Sequence, residues 1–93
     1  MINLFFSRKL ALKIARMLKQ LNLYTTSHCH LCELAHAIVL QMQDCIAVNI
    51  VEIAEDDALL ADYGLRIPVL KRQDTQAELN WPFSEIEVSA FLK

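Results

Sequence analysis

Residues 21–33 read Leu21-Asn22-Leu23-Tyr24-Thr25-Thr26-Ser27-His28-Cys29-His30-Leu31-Cys32-Glu33, and this stretch decides the fold. Leu21 to Thr25 alternates in the strand period and carries Tyr and Thr, which predicts a strand, β1. From His30 to about Gln43 the period changes: Leu31, Leu34, Ala35, Ile38 and Met42 recur at helical spacing. That predicts a helix, α1, with Ser27 or His28 near its cap. Two cysteines, each beside a histidine, therefore fall where a strand hands over to a helix.

Downstream, Ile46 to Ile53 (IAVNIVEI) is β-branched on both faces, as expected of a strand covered by helices, β2. Strand, helix and strand in about thirty residues make a right-handed parallel βαβ unit. Glu55-Asp56-Asp57 places acids at a helix N-terminus and Gly64 supplies a left-handed stop, so α2 is expected over residues 56–63. Arg66 to Lys71 leads into β3, with Pro68 at the first strand position. A turn at Gln73-Asp74-Thr75 and a short β4 from Ala77 to Trp81 complete an antiparallel hairpin. Pro82 stops the strand, and Ser84-x-x-Glu87 is a capping box opening α3 through Phe91.

The expected class is α/β, in the order β-α-β-α-β-β-α: a four-stranded mixed sheet flanked by helices, with β1, β2 and β4 parallel and β3 reversed. Three segments then meet at one end of the sheet. They are the exit of β1 at Cys29, the approach to β3 at Pro68, and the exit of β4 from Trp81 to Ser84. Ligands of α/β sheets bind at such ends.

The 93 residues suffice for one small core, and a composition 55% hydrophobic and 22% charged with one glycine fits an ordered globular domain. The net charge of −2 is unevenly distributed. Residues 1–20 hold five bases (Arg8, Lys9, Lys13, Arg16, Lys19) and no acid; residues 21–93 hold four bases against eleven acids, a net −7. Two parts follow: an N-terminal basic amphipathic helical extension over 1–20, and a domain over 21–93. So acidic a domain is a poor partner for nucleic acid. No apolar run approaches the roughly 20 residues of a membrane span. Three cysteines (Cys29, Cys32, Cys45) do not form a secreted disulfide framework, and a lone CxxC beside a βαβ pattern points to redox chemistry in the cytoplasm.

Thiol–disulfide exchange needs an exposed thiolate and a second thiol within reach. Cys29 stands at the first turn of α1, where unpaired N–H groups and the helix dipole favour a negative sulfur and lower a thiol's pKa to about 3.5–7.5. Cys32 lies one turn inward and suits the resolving role. His28 and His30 offer positive charge or hydrogen bonds to the thiolate. Cys45, outside the motif, reads as a small buried hydrophobe, and His36 as a solvated side chain.

LYTTSHCHLCELA, followed by Tyr63-Gly64-Leu65-Arg66-Ile67-Pro68-Val69-Leu70 and Leu79-Asn80-Trp81-Pro82-Phe83, resembles the glutaredoxin-like family of small thioredoxin-fold proteins. That resemblance covers about residues 21–93. It implies Cys29 as nucleophile, Cys32 as resolving thiol, and Pro68 as a cis-proline whose neighbour Ile67 offers backbone hydrogen bonds to an extended substrate. With His28 and His30, Ser84 is a candidate substrate-binding residue, and Trp81 reads first as a packing residue whose aromatic surface at this end of the sheet is also a candidate substrate grip. Where typical members have Pro-Tyr between the cysteines, this chain has His30-Leu31, and the Gly-Gly kink after β4 is replaced by Trp81-Pro82-Phe83. Ser84 is the residue left to anchor a carboxylate. The expected partners are a disulfide-containing protein or small thiol, with glutathione or a reductase as upstream reductant. Glutathione is a candidate co-substrate, no bound cofactor or metal is expected, and the chain is expected to be monomeric.

Two other classes stay open at this stage. His28, Cys29, His30 and Cys32 are all zinc or copper ligand types. A closed structural site needs a second ligand pair, and no second CxxC or HxxxH exists, so a metal or iron–sulfur site would be shared between two chains. The third class is a non-catalytic adaptor with an acidic contact surface.

Overall fold

The computed structural model describes residues 18–42 and 46–93. Apart from residues 18–20, the expected basic extension lies outside the described residues, and so does Cys45. The elements are β1 (Lys19–Thr25), α1 (His30–Gln41), β2 (Ile46–Glu52), α2 (Asp57–Tyr63), β3 (Val69–Arg72), β4 (Glu78–Asn80) and α3 (Glu85–Phe91). They form one four-stranded sheet in the order β2-β1-β3-β4. β1 runs parallel to β2 and antiparallel to β3, and β3 antiparallel to β4.

The period of two sorts β1 between two cores. Leu21 and Leu23 point to one face, where they pack with Ala35 and Val39 of α1 and Val88 of α3. Tyr24 points to the other, with Ile53, Val69 and Tyr63 of α2. β3 neighbours β1 at the centre of the sheet, so its consecutive Val69 and Leu70 are both fully buried. A one-residue slip of β1 would exchange the two cores, which is why its register is well specified.

Three local expectations need correction. Among the described residues β2 is an edge strand, not one covered on both faces: its burial is only partial, and Asn49 and Ile50 are exposed. Its β-branched residues reflect strand preference as much as burial. Gly64 is not a left-handed stop, because its φ of −54° lies in the right-handed helical region. Its amide still bonds to the Leu60 carbonyl at 2.9 Å, and a Cβ there would lie 2.5 Å from that oxygen. Close approach, not a positive φ, is what requires glycine. Finally, β1 begins at Lys19, two residues early, because Lys19 and Gln20 continue the ladder opposite Ile46 and Ala47.

The register brings the strand ends together. Tyr24 pairs with Val69 and Val69 with Asn80, while Thr25 pairs with Glu52. The exit of β1, the exit of β2, the start of β3 and the exit of β4 thus lie level at one end of the sheet.

Candidate functional site

At that end the chain leaves β1 through Thr26, Ser27 and His28 and starts α1. Cys29 itself is the N-cap, in place of the expected Ser27 or His28: its backbone is extended (φ −100°, ψ 104°) and its sulfur accepts the Cys32 N–H at 3.2 Å. A side-chain acceptor at this position satisfies one of the helix's orphan amides. Here that acceptor is the sulfur. Cys29 and Cys32 are joined in a disulfide, their Cα atoms 5.2 Å apart. Cys29 is half-buried, whereas Cys32 is only 4% exposed beneath it.

The turn before Cys29 is held from β2. Glu52 Oε1 accepts hydrogen bonds from Ser27 N–H (3.1 Å), Ser27 Oγ (3.1 Å) and Thr26 Oγ1 (3.4 Å), and Oε2 accepts one from Ile53 N–H (3.1 Å). Desolvation pushes this carboxyl up, but the Ser27, Ile53 and Thr26 donors outweigh it and hold Glu52 below the usual carboxylate range. His28, between that clamp and the cap, has φ 60°.

A cleft of about 200 Å³ opens beside the disulfide, walled by Cys29, Cys32, Glu33 and His36 of the α1 side, by the 25–28 turn and by Ile50 of β2. His36 belongs to this cleft and is not a freely solvated side chain. The signal was present: Cys29, Cys32, Glu33 and His36 are spaced i, i+3, i+4 and i+7, one face of a helix. Glu33 also approaches His30 Nδ1 at 4.0 Å. Among the described residues no three His, Cys, Asp or Glu side chains converge to hold a metal ion.

The remaining expected residues are distributed as follows. His28 lines the cleft, and His30 is exposed on the first turn of α1. Pro68 is fully buried at the start of β3, the Ile67–Pro68 bond is cis, and Ile67 packs on the Tyr24–Tyr63 core. Trp81 packs on the α1–α3 core and meets the Phe83 ring edge-on at 5.0 Å, so it is held in packing and is not part of the cleft wall. Ser84 caps α3: its hydroxyl accepts the Glu87 N–H (3.3 Å) while Glu87 Oε1 accepts the Ser84 N–H (3.2 Å). The carboxylate on that helix end is the chain's own.

A mixed sheet with a CxxC disulfide capping the helix after β1 defines a thioredoxin-like fold carrying a redox-type cysteine pair. The family model of the glutaredoxin-like domain (DUF836) matches residues 20–93, and the chain belongs to that family. It is similar to two solved structures of Northeast Structural Genomics target protein XcR50 from X. campestris, each 40% identical over 77% of this chain. The X-ray structure is covered to 93% with a TM-score of 0.71, and the solution structure to 90% with a TM-score of 0.69. No curated protein matches the chain. Among the described residues no helix is long and apolar enough to cross a membrane.

Proposed function

We propose that this protein is a thiol–disulfide oxidoreductase of the glutaredoxin-like kind, with Cys29 as nucleophile and Cys32 as resolving thiol. One observation carries the proposal: the Cys29 sulfur is the acceptor at the N-terminus of α1, taking the Cys32 N–H at 3.2 Å, while Cys32 is buried beneath it. A hydrogen bond and dipole aimed at a sulfur stabilise its thiolate. In the reduced protein the Cys29 thiolate attacks one sulfur of a substrate disulfide, forming a mixed disulfide and releasing one substrate thiolate. Cys32, losing its proton, attacks the Cys29 sulfur, releases the second substrate thiolate and closes the Cys29–Cys32 disulfide. Two electrons pass to the substrate, and an upstream thiol reductant, glutathione or a reductase, restores the dithiol.

The substrate is a disulfide-bearing protein or small molecule in the cytoplasm. His28 and His30 flank the nucleophile in the chain, and Ile67–Pro68 leads into β3 at the same end of the sheet. The test is intact mass after mixing with a disulfide substrate. Cys29→Ser is expected to abolish exchange, Cys32→Ser to accumulate a mixed disulfide, and Cys45→Ser to behave as wild type. Trapping by Cys29→Ser but not by Cys32→Ser would reverse the two roles, and full activity in both variants would refute the proposal.

A further inference from the structure

We infer that Glu52 is a positioning residue for Cys29, acting through the Thr26–Ser27 turn; the inference rests on the exchange chemistry proposed above. The β1–β2 ladder ends at Thr25 opposite Glu52, closed by Ile53 N–H on the Thr25 carbonyl at 3.0 Å. Beyond it, three residues must carry the chain from strand to helix. Glu52 reaches past the end of the ladder to hold them. One oxygen gathers the Ser27 amide and hydroxyl and the Thr26 hydroxyl, and the other shares the Ile53 amide with the Thr25 carbonyl. A carboxylate serving solubility alone has no reason to collect four donors from two segments.

The geometry downstream depends on that hold. His28 sits at φ 60°, a region that side chains other than glycine rarely adopt and that persists where the surroundings over-determine it. Those surroundings are the Glu52 clamp on one side and the α1 cap on the other. Cys29 must keep its extended backbone for its sulfur to meet the Cys32 N–H. If Ser27 is released, His28 is free to relax and the sulfur drifts off the amide. The Glu52 charge itself acts the other way, because a nearby anion disfavours a thiolate. Positioning and simple repulsion therefore predict opposite signs, and experiment can separate them.

The measurement uses the full chain carrying Cys32→Ser and Cys45→Ser, so that Cys29 is the sole thiol, and follows alkylation by iodoacetamide from about pH 4 to pH 9. Adding Glu52→Ala is expected to move the Cys29 ionisation midpoint upward and to slow alkylation at neutral pH about fivefold, the effect of one lost hydrogen bond. Glu52→Gln keeps an acceptor oxygen and is expected to restore part of that loss. Ser27→Ala leaves the charge in place and is expected to shift the midpoint in the same direction by less. His28, Glu33 and His36 of the cleft and His30, next to Cys29 in the chain, stay unchanged throughout. A midpoint that falls or stays put in folded Glu52→Ala overturns the inference. Should that variant not fold, an unchanged midpoint in both Ser27→Ala and Thr26→Ala overturns it instead. Alkylation needs no disulfide substrate, so a protein that reduced no disulfide would refute the proposed function through a different measurement.

Discussion

Arg72 is the one charged residue of the described chain that lies buried, at the end of β3. Its Nε and Nη2 donate to the two Asp74 oxygens at 2.8 and 2.6 Å, and its Nη1 donates to the Phe91 and Lys93 carbonyls at 2.9 and 3.0 Å. A single planar fork thus closes the β3–β4 turn and holds the last carbonyl of α3 together with the chain just beyond it. Arg72→Lys cannot span both sites, and its melting temperature is expected to fall although the charge is kept. The Arg72 hydrogen bonds hold Asp74 down to about 2, against an ordinary value of 3.8. A depressed carboxyl stabilises the fold above the ordinary value and loses that contribution as pH falls through the folded one. Asp74→Asn is therefore expected to unfold more readily than wild type at neutral pH, with the difference closing between about pH 4 and pH 2; a gap that persists at the acid end would refute the linkage. Gly64→Ala pushes a methyl group onto the Leu60 carbonyl and is expected to cost about 1–3 kcal/mol in denaturant unfolding. Cys29, Cys32 and Pro68 were legible in the sequence because they belong to a short motif or a rigid residue type. Glu52 was not, since its role depends on β1 and β2 being level, and no local pattern reports a register between strands more than twenty residues apart.

At the scale of elements, α2 is too short to stand alone. Its seven residues fall well short of the roughly 12–15 that an isolated helix needs. Side chains near its end hold it to the sheet. The Tyr63 ring stacks on Tyr24 at 4.0 Å and its hydroxyl donates to Glu78 of β4 at 2.6 Å. Arg66 lies 4.5 Å over the Tyr63 ring and bridges Asp62, Glu78 and Asn80. These ties close the segment that leads through Ile67 to Pro68, so they stabilise the entry to β3 at the end of the sheet that carries the disulfide. Tyr63→Phe keeps the stack and removes the hydrogen bond to a carboxylate, which is expected to cost about 1–2 kcal/mol. The same hydroxyl is the main reason Glu78 titrates below its ordinary value; desolvation opposes it and Arg66 assists. A carboxyl titration followed by NMR should therefore show Glu78 moving upward in Tyr63→Phe, and no movement would mean that the cations Arg66 and Lys71 set it. The order of elements was readable from hydrophobic period and caps, down to the Ser84–Glu87 box. What periodicity could not supply was the edge position of β2, because β-branched residues suit exposed and covered strands alike.

At the scale of the whole molecule, the charge of the described residues around the disulfide is one-sided, and it bears on which substrates the proposed exchange favours. The described cations are Lys19, Arg66, Lys71, Arg72 and Lys93. Arg66 and Arg72 are bound to carboxylates, Lys19 opens β1 and Lys93 ends the chain, both at the far end of the sheet, and Lys71 lies within β3 opposite Glu78. The end that carries Cys29 instead has Glu33 in the cleft wall, Glu52 behind the turn, and Glu55, Asp56 and Asp57 where the chain leaves β2. Ser84, the expected carboxylate anchor, already holds Glu87. The field of these described carboxylates favours cations over anions near the sulfur, and salt screens it over a Debye length of about 10 Å at 0.1 M. Exchange is therefore expected to be fastest with the dication cystamine, intermediate with neutral 2-hydroxyethyl disulfide and slowest with anionic oxidised glutathione, with roughly tenfold between the extremes at low salt. Each rate is to be divided by that of a small model thiol, to remove the disulfides' own reactivity, and measured at about pH 8, above the ordinary histidine range. Raising the ionic strength should draw the three rates together, and Glu33→Lys should narrow the gap without added salt. A flat order that ignores salt would show that the acidic end does not select the substrate. Faster exchange with oxidised glutathione at low salt would show that an anion site outweighs these carboxylates.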